Sequence, residues 1–325
     1  MAEFRVMTWN VENLFDVGDD AGPETQAQLN AKLDSLAAVI NEQEPHVLGL
    51  QEIGSQSALA RLQAKLDPKM PHRVLATPDD RGIRVGFISR RVLHDPVEIR
   101  PFPGGLLPIQ VGDDPPGADG PRTMSEMGRA ALQVTVRANN GDVDIITTHM
   151  KSKLLTFPGG RFTPVDEDQR ARFAAYALYR RSSEATTLRS HLDAVLAGGG
   201  RDKAVILTGD LNDEVNAATT LILNGPPGSE IGSVGFDQPD LGEGDRMWNT
   251  APLIPEERRF SRLYRGRMEL IDHIFVSHFL VTGTRTAEVT TVTAEPGMPS
   301  IDDNPNDRIG EPGSDHAAVV ATFDF

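Results

Sequence analysis

The stretch Ala204-Val205-Ile206-Leu207-Thr208-Gly209-Asp210-Leu211-Asn212-Asp213 constrains the fold of this chain more than any other. A short apolar run, long enough for a buried strand, ends in Thr-Gly, and a carboxylate, an amide and a second carboxylate follow directly. In layered α/β folds the ends of central strands are rigid platforms that open onto loops, so polar groups there can be held against a ligand. Asp210 and Asn212 lie two apart and would share a face if the pleat continued. Alone, a Gly-Asp-x-Asn segment is an ordinary turn, because Gly, Asp and Asn all suit turn conformations. Its meaning depends on partners supplied elsewhere.

The rest of the chain repeats the format. Residues 4–9 alternate as a strand that delivers Asn10 to its end. Residues 26–41 place Leu29, Leu33, Leu36, Ala37 and Ile40 at helical spacing, and Val47-Leu48-Gly49-Leu50 is a buried strand ending at Gln51 and Glu52. A second short helix is predicted over residues 57–66, with adjacent strands over 72–77 and 84–89. Residues 101–127, dense in Gly, Pro and Asp, form a long loop. Residues 129–137 and 143–148 are hairpin partners around Asn139-Asn140-Gly141-Asp142, and the second ends at His149. After a basic loop over 150–165, Asp166 caps a long helix over 167–197 that Gly198-Gly199-Gly200 stops. A short helix near 217–223 and a strand over 269–277 with Asp272 inside it follow. A polar loop over 295–314 then leads to Asp315-His316 and a closing strand over 317–325. Strands outnumber helices and mix hairpins with crossovers, which points to two packed sheets covered by helices. No repeat or linker divides the chain, so residues 1–325 read as a single domain.

Composition limits the chemistry. With no cysteine, disulfides, thiolate metal sites and thiol nucleophiles are excluded, so any metal must be held by oxygen or imidazole. A net charge of −15 argues against a broad basic face for long duplexes, though a local positive groove is compatible with it. The acidic loop over 112–119 argues the same way. The N-terminus enters a strand without the basic and apolar regions of a signal peptide, and no run approaches the roughly 20 apolar residues of a membrane span. A soluble, cytoplasmic protein without membrane insertion is the expectation; protein partners are not legible.

The polar groups at the strand ends supply carboxylates for a hard cation, imidazoles for proton transfer and amides for phosphate oxygens. Magnesium favours one or two carboxylates with water and substrate phosphate, so Glu52 with Asp315 or Asp210 is an adequate ligand set. A cation and hydrogen-bond donors offset the charge that makes a phosphodiester resist attack, and a base activates water. His316 could serve as that base only with its tautomer fixed, for which Asp272 is suited.

Together, Thr8-Trp9-Asn10-Val11-Glu12-Asn13, Leu50-Gln51-Glu52, Thr148-His149-Met150-Lys151-Ser152, Gly209-Asp210-Leu211-Asn212, Leu270-Ile271-Asp272-His273-Ile274 and Ser314-Asp315-His316 resemble, in order, the motifs of the endonuclease/exonuclease/phosphatase superfamily, DNase I-like and exonuclease III-like. The resemblance implies an α/β fold, a four-layer α-β-β-α sandwich of two mixed sheets flanked by helices. It implies Glu52 as metal ligand with Asp315 near the metal, and Asn10 supporting metal and phosphate. His149 would contact the scissile phosphate, Asp210 orient or deprotonate water, Asn212 bond phosphate, and Asp272 hold His316. Asp210 and His316 both remain candidates for the general base, and one or two metal ions could act. Arg129, in Gly128-Arg129-Ala130, resembles the family's arginine, and Lys151 with Lys153 matches a His-x-Lys-Ser-Lys pattern of bacterial members; Arg129 and Lys151 are candidate contacts to substrate phosphate, with a solvated loop the alternative for the lysines. The expected function is a Mg2+-dependent phosphodiesterase, with Mn2+ or Ca2+ as alternatives, acting as a nuclease on DNA or RNA. A phosphomonoesterase or sphingomyelinase-like headgroup phosphodiesterase is the alternative, and a non-catalytic phosphate-binding relative the third reading.

Overall fold

The alternation at residues 4–9 belongs to the strand Glu3–Leu14, whose two faces bury different layers. Phe4 and Val6 enter an apolar slab shared with Ile145, Ile206 and Val276, whereas Met7, Trp9 and Val11 meet Leu29, Leu33 and Leu36 of the helix Gln26–Gln43. In a strand covered on both sides, period-two alternation sorts side chains between two cores. The computed structural model describes residues 3–113, 120–138, 141–282, 285–294, 297–302, 304 and 307–324.

Two six-stranded sheets face each other across that slab. One runs Thr286–Val292, Ala318–Asp324, Glu3–Leu14, Val47–Ile53, Arg84–Ser89, His72–Leu75. The other runs Leu93–Pro101, Glu126–Ala138, Gly141–His149, Ala204–Asp210, Asp272–Ser277, Met247–Asn249. Each has one parallel pair at its centre: Glu3–Leu14 with Val47–Ile53, and Gly141–His149 with Ala204–Asp210. A parallel pair needs a crossover, and the helices Gln26–Gln43 and Glu167–Leu196 supply them. Both then cover the outer faces of their sheets. The first packs on Met7, Leu48 and Leu50, the second, through Leu188, Leu192 and Leu196, on Ile146, Val205 and Leu207. The result is the expected α-β-β-α sandwich. Thr25 and Gln28 close a capping box at one helix start, and Asp166 accepts from the Gln169 amide at the other.

The slab between the sheets changes along the strands, and this positions the site. Phe4, Val6, Ile145 and Ile206 are followed by Thr8, Gln51, Thr147 and Thr208, all buried. Gln51 Nε2 donates to Thr147 Oγ1 at 2.8 Å and to Thr8 Oγ1 at 3.1 Å, tying the sheets together. Gly49 permits the close approach, since a Cβ there would lie 3.0 Å from Thr147 Oγ1. One step further stand Asn10 and Glu52, inside strands that run on to Leu14 and Ile53, His149 and Asp210 at the ends of theirs, and Asp272 at the start of its own.

Several elements depart from the expectation. Leu93–Pro101 and Thr286–Val292 are edge strands, and their pairing shifts register, at His94/Val97 and Thr286/Glu288 respectively, so no clean period marks them. The segment read as a loop over 101–127 contains a 3-10 turn, Gly104–Leu106, and a small ladder of Ile109–Gln110 with Thr123–Met124; the next strand already begins at Glu126. The run over 269–277 divides at Leu270 into Arg267–Glu269 and Asp272–Ser277. The first piece joins Arg262–Tyr264 and Ser300–Ile301 in a small third sheet, the last strand of which falls in the presumed polar loop. Asn139 and Asn140 of the hairpin signal lie outside the described residues, although Ala138 pairs with Gly141 across it. So do residues 114–119 of the acidic loop, whereas Asp113 pairs with Arg172. Among the described residues no helix is long and apolar enough to cross a membrane.

Gly209 carries a strict demand. Its φ is +141°, and a Cβ there would lie 2.0 Å from the Thr148 carbonyl oxygen of the adjacent strand. Gly209→Ala is expected to destabilise the fold by at least about 2 kcal/mol in urea denaturation. An unchanged midpoint would contradict this packing.

Candidate active site

The polar strand ends converge on one cavity of about 620 Å³, lined by Asn10, Glu52, His149, Asp210, Asn212 and His316 among others. Backbone strain accompanies the convergence. Glu12, Asn13, Glu52 and Asn212 all have left-handed φ, between 50° and 61°, immediately beside the ends of three central strands. Such conformations cost about 1–3 kcal/mol each and persist only where surrounding bonds enforce them. Here they turn side chains into the cavity instead of letting the pleat continue. Asn212 therefore does not share a pleat face with Asp210; the Asp210 Oδ1 accepts the Asn212 amide at 2.8 Å, and Asn212 Nδ2 donates to the Met150 carbonyl.

Asn10 sits at the centre. Its Nδ2 donates to Glu52 Oε1 at 3.2 Å and to Asp210 Oδ2 at 3.0 Å, so one amide joins a carboxylate of each sheet. Its Oδ1 accepts the Glu12 amide, which directs the NH2 group toward the two acids. His149 Nε2 lies 3.5 Å from Asp210 Oδ2 and 3.9 Å from Glu52 Oε1. Across the cavity His316 Nδ1 is 2.7 Å from Asp272 Oδ2, and its Nε2 is 4.0 Å from both Asp210 Oδ2 and Asp315 Oδ1. Ser261 Oγ accepts the Asp272 amide, and the Ser261 carbonyl accepts the Ala317 amide, so one short segment holds both members of the His–Asp pair.

These surroundings drive the titratable groups apart. Burial lowers His149 well below the ordinary imidazole value, aided by the charges of Arg129 and Arg81, so it is neutral. For His316 burial acts the same way but is overcome by the charges of Asp272, Asp315 and Asp210, which hold it protonated. Asp210 is raised to about 7 by burial and by the Asp272 charge, against the opposing pull of His316 and Asn10. A neutral imidazole, an imidazolium and a basic carboxylate thus surround one cavity.

Two arrangements could hold a cation. Asp210, Asp272 and His316 each place a ligand atom within 4.8 Å of the others. In that group, however, the His316–Asp272 bond occupies the imidazole Nδ1, and the imidazolium repels a metal. Glu52 and Asp315 are a second candidate set: both carboxylates are part-exposed on the cavity wall, where water could complete a magnesium shell.

Arg129 is buried yet lines the cavity beside His149, donating through Nε to the His149 carbonyl and through Nη2 to that of Met150, with Asp79 on Nη1. Lys151 does not line the cavity. Its ammonium donates to the Ser152 and Leu154 carbonyls, and burial lowers it to about 7. Lys153 does line it, paired with Asp213. Sequence reasoning assigned no role to Glu12, although it stands inside the Trp9–Asn13 motif. It missed Arg308, which binds Glu12, and Arg262, which binds Glu269, since a lone arginine in a polar loop carries no periodic signal. An apolar wall of Leu154, Leu155, Phe157 and Phe162 was also missed.

A two-sheet sandwich with acid, amide and imidazole groups at one edge defines a class of phosphoric ester hydrolases. The profile of the Endonuclease/Exonuclease/phosphatase family matches residues 7–316, and the chain belongs to that family of metal-dependent phosphoric ester hydrolases. No curated protein matches the chain. Solved structures share the fold. Truncated TDP2 from Caenorhabditis elegans is 14% identical with a TM-score of 0.54, covering 99% of this chain and 98% of its own. The human Nocturnin catalytic domain with bound sulfate is 15% identical with a TM-score of 0.54, covering 99% and 94%. TDP2 of D. rerio complexed with a single-strand DNA product is 14% identical with a TM-score of 0.53, covering 100% of each chain.

Removing the Asp272 charge should lower the proton affinity of both neighbours it raises. In Asp272→Asn, NMR titration is expected to show the His316 ring and the Asp210 carboxyl both shifted downward; an unmoved His316 would contradict the pairing.

Proposed function

We propose that the chain is a divalent-cation-dependent phosphodiesterase that cleaves nucleic acid, with Mg2+ as its cation and single strands or short oligonucleotides favoured over long duplex. The observation that carries this reading is the joint placement of His149, His316 and Asp210 around one cavity, each imidazole Nε2 within 4.0 Å of Asp210 Oδ2. The cavity volume of about 620 Å³ accommodates a nucleotide-sized group. A net charge of −15 disfavours long polyanions, while Arg81, Arg170 and Lys153 supply positive charge at the mouth. The single-strand product bound by D. rerio TDP2, which has the same fold, supports the substrate class.

Glu52 and Asp315 would hold the cation, which neutralises diester oxygens and acidifies bound water. Asp210 is the general base in this reading. His316 already carries its proton at neutral pH and cannot accept another, whereas a carboxylate near 7 is roughly half ionised there and basic enough to take a proton from water. His149 presents Nε2 to the phosphate, its backbone carbonyl held by Arg129 Nε. The His316 imidazolium, oriented by Asp272, donates to a phosphate oxygen as negative charge accumulates. The apolar wall of Leu154, Leu155, Phe157 and Phe162 favours one second reading, a diester with an apolar arm such as a lipid headgroup diester.

Rates on single-stranded and duplex DNA, RNA, a chromogenic diester, a monoester and sphingomyelin, with Mg2+, Mn2+ and Ca2+, test the proposal. Single strands should be cleaved fastest, EDTA should abolish turnover, and Asp210→Asn should lower kcat by at least about 100-fold. Because the base acts ionised, kcat/KM should rise with pH through an acid limb at or below about 7, a bound cation moving it down. A monoester turned over faster than every diester, or no turnover with any cation, would overturn it.

A further inference from the structure

The turn that carries Asp315 and His316 has no regular structure of its own, yet His316 must keep its Nε2 4.0 Å from Asp210. Besides the Ser261 bond to Ala317, strand Glu3–Leu14 holds it, through three of its residues. Trp9 Nε1 donates to the His316 carbonyl at 2.9 Å, and the Asn10 carbonyl accepts Ser314 Oγ at 2.7 Å. Glu12 does more. Its Oε1 accepts Arg308 Nε at 2.7 Å, and its Oε2 accepts both Arg308 Nη2 at 3.1 Å and the Asp315 backbone amide at 3.0 Å. Arg308 Nη2 also reaches the Pro312 carbonyl at 3.4 Å, and Lys32, whose ammonium is 3.9 Å from Glu12, donates to the Gly313 carbonyl at 2.8 Å.

We infer that Glu12, clamped to Arg308, is a positioning residue for the reaction: it sets the Asp315-His316 turn and acts through it. The inference rests on the phosphodiesterase reading for its catalytic consequence. Its geometric basis is independent of that reading. Glu12 stands in left-handed backbone, φ 50°, which turns the side chain out of the pleat toward the turn. Its backbone amide at the same time orients the Asn10 side chain, so one residue adjusts both sides of the cavity. A bidentate carboxylate–guanidinium pair fixes direction as well as distance, which a loop built from Pro, Gly and Asp cannot do for itself. Both Glu12 oxygens accept from three N–H donors, two of them on a guanidinium that repels metal ions, so the carboxylate serves as a clamp and not as a cation ligand. Glu52, by contrast, has amide donors only.

The test compares Glu12→Gln, Glu12→Ala, Arg308→Ala, Arg308→Lys and the double alanine variant with the intact chain. Steady-state rates on the best substrate, Mn2+ affinity by calorimetry, and NMR shifts of the Asp315 amide and His316 ring are measured on each. Positioning requires kcat to fall about 10- to 100-fold in both single alanine variants, with KM within about twofold. The double variant should be no worse than the poorer single, because the pair acts as a unit. Arg308→Lys should remain impaired, since lysine restores charge without the fork. The Asp315 and His316 signals should move in every variant, and because Asp315 lies on the turn, Mn2+ affinity should fall by about 10-fold in Arg308→Ala as well as in Glu12→Ala. Additive losses or a KM raised about tenfold would overturn the inference, and Mn2+ affinity lost in Glu12→Ala but kept in Arg308→Ala would make Glu12 a direct ligand. Were Glu12→Ala to unfold, Glu12→Gln and Arg308→Ala, the latter at a position 19% exposed, decide alone. Should the intact chain turn over nothing, the function reading fails, while unmoved Asp315 and His316 signals in the variants would sink the positioning claim separately.

Discussion

A single amide, Asn10 Nδ2, holds one carboxylate from each sheet, and the arrangement of the site depends on that bridge. Two acids from different sheets, Asp210 buried and Glu52 part-exposed, repel, and something must offset the repulsion without neutralising them. An arginine in that place would do so by lowering both pKa values, as an opposite charge within a few ångströms does. An amide contributes about 1.5–3 kcal/mol through each bond to a charged acceptor and carries no charge itself. Asp210 therefore stays near 7, where it can take a proton, with the sheets still joined.

The rest of the sandwich supports this bridge in stages. Apolar burial fills the slab where Val6 meets Ile206, threonines and Gln51 cross-link it one step further, and ionisable groups appear only at the mouth. Each stage prepares the next: Gly49 lets the sheets come close, Gln51 satisfies the hydroxyls that closeness buries, and the rigid strand ends then hold strained residues such as Glu52 and Asn212. On the far side of the cavity the account relies on long-range bonds instead. Ser261 and Glu12 fix Asp272, Asp315 and His316 from segments far away in the chain.

This division explains what was legible in the sequence. Central strands and both crossover helices announce themselves because they are buried on defined faces, and Asn10, Glu52, His149, Asp210 and His316 were visible as polar groups where those patterns stop. The edge strand His72–Leu75 was visible too, but Leu93–Pro101 was not, since it is charged, contains Pro96 and shifts register. Asn212 was placed on the wrong premise, because the left-handed turn that aims it depends on bonds to Asp210 and Met150 that no local pattern encodes. Arg308 was invisible for the same reason: its partner lies in the first strand. Lys151 matched a motif by spacing, but burial turned its ammonium onto loop carbonyls.

The central claim is a division of labour, with Glu52 facing the cation and Asp210, Asp272 and His316 forming a proton-handling group. Anomalous diffraction from crystals soaked with Mn2+ locates the ion directly. The account requires a peak against Glu52 on the cavity wall; a peak among Asp210, Asp272 and His316 would contradict it.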